Sequence, residues 1–179
     1  MKNLNIALVA SAVILAGSAH AATDGAVGDA VDGSTGSSLV TIIKDNAVQI
    51  SKVDDIDFGN QSTLTADAVA SDQVCVFAST GGYNITASGD GVGNAFTLSA
   101  GGTSVLPYSV RWNEGAVTST LLPGAPATGF VGNSAAADCG GTGDANTNAS
   151  FEVTIDQTNF NMAAAGTYSG TLTLKVMPE

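Results

Sequence analysis

The stretch LPYSVRW, Leu106–Trp112, decides how the chain is read. Leu106, Tyr108, Val110 and Trp112 fall on one face of an extended backbone, and Pro107, Ser109 and Arg111 on the other. A period of two with one apolar face is the pattern of a half-buried antiparallel strand. The alternation recurs on both sides of this stretch. Upstream, YNITAS sets Tyr83, Ile85 and Ala87 against Asn84, Thr86 and Ser88. Downstream, FEVTI sets Phe151, Val153 and Ile155 against Glu152 and Thr154. TYSGTLTLKV sets Tyr168, Leu172, Leu174 and Val176 against Thr171, Thr173 and Lys175. Shorter apolar runs lie at Val74–Ala78 and Ala95–Ser99. Together with Phe58, the inward-facing side chains are the predicted core. Trp112 and Tyr108 could also stack on a sugar, but their alternation with Leu106 and Val110 assigns them to the interior. Pro107 predicts an edge position, because proline donates nothing to a ladder.

Glycine-rich turns such as STGGY, SGDGVGN and DCGGTGDANTN separate these runs, and helix signals are nearly absent. Strands spaced in this way predict an all-β protein with an immunoglobulin-like sandwich, a closed barrel being the alternative. Leu122–Asn148 is weakly patterned and reads as an exposed excursion.

The N-terminus reads as an export signal. Lys2 supplies its charge, Ile6–Leu15 its apolar run, and Ala19-His20-Ala21 a small-x-small cleavage site. The expected mature chain is Ala22–Glu179, roughly 158 residues, the size of one domain. It keeps four cations, Lys44, Lys52, Arg111 and Lys175, against sixteen acidic residues, a formal charge of −12. Such a surface repels nucleic acid and anionic lipid. Within it, Ala22–Ser38 is too rich in glycine and aspartate to offset its ordering entropy and is expected to be flexible.

Cys75 and Cys139 are the only cysteines. In an exported chain, two read as one disulfide, with free thiols or an intermolecular bridge as alternatives. Closing a loop of about 65 residues is worth on the order of 4 kcal/mol in the chain-entropy model.

Catalysis has little to work with. The one histidine, His20, leaves with the signal, so the usual triads and neutral-pH bases are missing. Asp54, Asp55 and Asp57 could form a carboxylate pair of the glycosidase type, but they read as a solvated turn before Phe58-Gly59. No enzyme, catalytic residue, metal site or cofactor is expected. A calcium site remains an alternative at Asp24, Asp29 and Asp32, or at Asp90 and Asn94; neither stretch matches an EF-hand loop.

Three segments carry a family resemblance. ISKVDDIDFGN, Ile50–Asn60, looks like the early strand of bacterial pilin-like domains, running into the turn Ile56-Asp57-Phe58-Gly59. AAAGTYSGTLTLKVMPE is similar to their last strand. GGYNITASGDGVGNAFTLSAGGTSVLPYSVRW resembles the spore-coat-U type pilins of archaic chaperone–usher fimbriae. The likeness covers roughly 47–179. Cys75 stands later, and the Gly/Asp tail is longer, than is usual there.

The resemblance implies an incomplete sandwich, filled first by a periplasmic chaperone and then, at an outer-membrane usher, by the N-terminal strand of the next subunit. It implies three regions: a signal at 1–21, an N-terminal extension at 22–46 and a pilin-like domain at 47–179. In the extension Leu39–Lys44 would be the donor strand, carried by Leu39, Val40, Thr41, Ile42 and Ile43. Val40 and Ile42 are preferred as its inward pair over Leu39 and Ile43. The implied role is a non-enzymatic subunit of a surface fimbria that supports adhesion or biofilm formation. Its implied partners are like subunits, chaperone and usher, with no nucleic acid. The rival from another class is a self-contained secreted binding module for carbohydrate or calcium, in which Leu39–Lys44 pairs within its own molecule.

Overall fold

Residues 23–101, 104–141 and 146–179 are described by a computed structural model. The expected export signal, 1–21, lies outside the described residues. The chain divides into two units, which meet between Lys44 and Asp45.

In the first unit the backbone of Thr23 and Ser37 exchanges two hydrogen bonds, of 3.0 and 2.9 Å. Within the loop they close, Asp29 Oδ1 accepts from the N–H groups of Val31 and Asp32. The bonds from Asp32 and Val31 hold the Asp29 carboxyl below its ordinary value. Leu39–Ile43 belongs to no strand, and Val40 and Ile42 are 89% and 92% exposed.

The second unit is an all-β sandwich. One sheet takes the order β1 (Val48–Ser51), β2 (Ala68–Ala78), β9 (Ala149–Ile155), β6 (Ser109–Glu114), β7 (Val117–Leu121), all antiparallel. The other takes β10 (Leu172–Pro178), β3 (Gly82–Gly89), β8 (Pro126–Val131). A hairpin of β4 (Thr97–Ser99) and β5 (Val105–Pro107) stands apart from both. The alternating residues meet between the sheets. Tyr83, Ile85, Leu106, Tyr108, Val110, Trp112, Phe151, Val153 and Ile155 are all buried. Among the described residues no helix is long and apolar enough to cross a membrane.

The structure refines four of these readings. LPYSVRW is not one strand, although Pro107 does lie at an edge, in the two-stranded hairpin. It breaks at Tyr108, whose N–H donates to Phe96 O, so that Pro107 ends β5 and Ser109 begins β6 between β9 and β7. Proline serves here to hand the chain from the hairpin to a sheet interior. Leu122–Asn148 is not wholly an excursion, because β8 runs through it and places Phe130 in the core at 1% exposure. A short helix, α1 (Gln157–Met162), follows β9; Asp156 caps it by accepting from Asn159 N–H at 2.8 Å. The early strand ISKVDDIDFGN ends at Ser51, because Lys52 takes φ 61° and turns the chain out of the sheet.

Candidate functional site

That turn at Lys52 leaves the sandwich open along one side. β1 lies beside β10 at the sheet edges. Past Lys52, Val53–Thr63 drifts away as irregular chain, without a backbone–backbone hydrogen bond to any strand among the described residues. Between this strap and Ala163–Leu174 lies an open groove of about 1140 Å³. Its floor is apolar, made by Leu98, Leu106, Phe151, Val153, Ile155 and Phe160. Pockets for small molecules usually span about 300–1,000 Å³ and bury most of the ligand. This one is larger than that range.

Ser169 and Ser99 exchange N–H···O bonds of 3.1 and 2.8 Å, Thr171 N–H donates to Asp90 Oδ2 at 3.1 Å, and Glu179 N–H donates to Gly82 O at 3.0 Å. These odd-numbered residues turn their polar groups towards β3 and its flanks. Successive residues of a strand alternate in direction, so Leu172, Leu174 and Val176 turn theirs to the opposite, open edge. Pro178 ends that edge with no N–H to offer. The side chains of Leu172, Leu174 and Val176 point inward as predicted, yet all three are only half-buried. Ile56 and Phe58 on the strap, and Tyr168 ahead of β10, are half-buried against the same core. Tyr168 is not in the strand; its hydroxyl donates to Ala164 O at 2.9 Å. An unpaired strand edge beside half-buried apolar side chains is a template for one more strand.

The far side of the sandwich is bonded shut. Trp112 Nε1 donates to Tyr83 Oη at 3.0 Å, Tyr83 Oη donates to Glu114 Oε1 at 3.1 Å, and Glu114 Oε2 accepts from Val131 N–H. Desolvation, then the Glu114 charge, push the Tyr83 phenol above its ordinary pKa, so it stays protonated. Desolvation also raises Glu114, opposed by the bonds from Val131 and Tyr83. Tyr108 is raised by burial and by the charge of Asp90. With Trp112 at 0% exposure and Tyr108 at 9%, neither forms a surface platform for a sugar.

Cys75 and Cys139 form the disulfide. It ties the loop after β8 to β2 opposite Ser51, where β1 ends, and Lys52 Nζ donates to Asn146 O in the same loop at 3.2 Å. The candidate acids are not gathered. Asp54 N–H is held by Asp72, Asp57 Oδ1 accepts from Gly59 N–H, and Asp90 accepts from Thr171 N–H. No group of three His, Cys, Asp or Glu side chains is placed to hold a metal ion among the described residues.

No family model matches the chain, and no curated protein matches it. Among solved structures it is similar to a chain described under the heading "Chaperone-tip adhesin complex is vital for synergistic activation of CFA/I fimbriae biogenesis". The identity is 15%, the TM-score 0.54, and the match covers 74% of this chain and 41% of that one. The shared feature is therefore the fold, a sandwich of the kind present in a fimbrial chaperone–adhesin assembly.

Proposed function

We propose that the protein is a structural, non-enzymatic subunit of a surface fimbria, in which each groove is filled by the segment Leu39–Ile43 of another copy. The observation that carries this reading is the unpaired edge of β10 beside a large groove that reaches down to the core. The exposed run of Leu39, Val40, Ile42 and Ile43 ahead of the domain supports it, because it is strand-like in sequence and unpaired in the structure. Main-chain bonds along Leu172–Val176 would supply affinity, and alternate donor side chains the register. Val40 and Ile42 are the inward pair, with Thr41 outward. Before assembly the same edge needs cover, which a periplasmic chaperone supplies and an outer-membrane usher exchanges for the donor strand. The spore-coat-U type of archaic fimbria is the assembly that the sequence resembles, with adhesion or biofilm formation as its outcome.

The test is removal of Ala22–Lys44 from the exported protein, with chaperone and usher present. The truncated domain keeps its groove and should form no filaments by electron microscopy. A peptide of Gly36–Ser51 should raise its melting temperature by binding the folded form. Filaments built from the truncated protein, with no response to peptide, would exclude strand donation from this segment.

A further inference from the structure

The groove wall opposite β10 is a strap pinned at two points. At one end Asp54 N–H donates to Asp72 Oδ2 at 2.8 Å. At the other, Leu64 has both backbone groups engaged by side chains. Its N–H donates to Asn161 Oδ1 and its carbonyl accepts from Asn161 Nδ2, each at 2.9 Å, while Gln157 Nε2 adds a second bond to the carbonyl at 2.9 Å. A single side-chain amide thus imitates a neighbouring strand for one residue. Between the pins the strap's hydrogen bonds are local, such as Gln61 Nε2 to Phe58 O. Yet this stretch carries Ile56 and Phe58 against the core edge and lines the groove.

We propose that Asn161 is a positioning residue for strand capture, acting through Leu64; the inference rests on the strand-acceptor reading above. An incoming strand meets two unlike sides. β10 is already ordered by its ladder with β3. The strap has no ladder, and ordering its residues costs conformational entropy. A strap pinned before the strand arrives has lost part of that freedom in advance, so less is lost on binding. Without the Asn161 pin, the cost moves to the binding step.

The experiment uses the mature full chain and a fluorescent peptide of Gly36–Ser51, read by anisotropy, with amide exchange of the free protein alongside. Asn161→Ala should weaken peptide binding roughly 30-fold, the equivalent of two hydrogen bonds at about 1 kcal/mol each. It should speed exchange at Ile56 and Phe58 and leave β9 unchanged. Asn161→Gln, which presents the same amide on a longer stem, should recover part of the affinity. Should Asn161→Ala not fold, Gln157→Ala removes one bond to the same carbonyl, with an expected loss of roughly fivefold; unchanged affinity there overturns the Leu64 pin. Wild-type protein that ignores the peptide overturns strand acceptance and this inference with it. Wild-type binding matched by Asn161→Ala overturns only the positioning role.

Discussion

Trp112 joins the two sheets by a hydrogen bond as well as by packing. Its indole N–H meets Tyr83 Oη on the facing sheet, and its ring makes edge contacts with Tyr83 and Phe130. Trp112→Ala should therefore lower unfolding free energy by roughly 3–5 kcal/mol in a denaturant titration, through lost burial and a cavity. Glu114, at the end of the same chain of bonds, gives a pH signature. Its folded pKa is raised above the ordinary 4.5, so the folded state binds the proton more readily than the unfolded state. The resulting stabilisation is complete below about 4.5 and is lost as pH rises through the folded value. Relative to Glu114→Gln, the wild type should gain melting temperature as pH falls from 7 towards 4.5. A gap that stays constant would show that Glu114 titrates alike in both states. Alternation alone identified Trp112, Tyr83 and Tyr108 as interior. It missed Phe130, because Gly129 sits at φ 87° and the pairing with β3 shifts register between Tyr83 and Ile85, so Ala127 and Phe130 are out of step. Nor could it find the bonds of Glu114, whose partners lie on other strands.

β10 repeats this division at the scale of an element. Its inward residues were legible from the threonine alternation, but its exposed edge was not, since an edge is defined by which strand is missing. The N-terminal half of β2 was illegible for a plainer reason: Ala68–Gln73 offers mainly alanine, serine and aspartate, with little apolar contrast. The edge makes its own prediction. In the free protein the amides of Leu172, Leu174 and Val176 should exchange quickly, while Thr173 and Lys175, bonded towards β3, exchange slowly. Peptide Gly36–Ser51 should slow the first set and leave the second unchanged. Protection of all five in the free protein would mean that the edge is already covered. On the donor, changing Val40 and Ile42 together to aspartate puts two unpaired charges into an apolar groove. That should cost several kcal/mol of strand binding and stop filament growth, and a one-residue slip would turn the other face inward with misplaced Lys44.

Across the whole molecule the disulfide is the longest covalent constraint, with a sequence separation of 64. Replacing Cys75 and Cys139 by serine should lower stability by about 2–5 kcal/mol, measured by denaturant titration with and without reductant. The pairing followed from the cysteine count and the expected export alone, whereas the location of the bond beside the end of β1 required the fold. The sandwich class was legible because four separate runs repeat one period; the groove was not legible from that period, because its walls, Val53–Thr63 and Ala163–Leu174, lie far apart in the chain. On the strand-donation reading, the strap-walled groove and the Leu39–Ile43 segment are two unlike surfaces on one chain. A contact between unlike surfaces is heterologous and does not close on itself as a two-fold dimer does. Every polymer so formed has a direction. One end carries an empty groove, the other an unused strand, and the two ends need different caps: a strand without a further domain to stop the first, a groove without a strand of its own to stop the second.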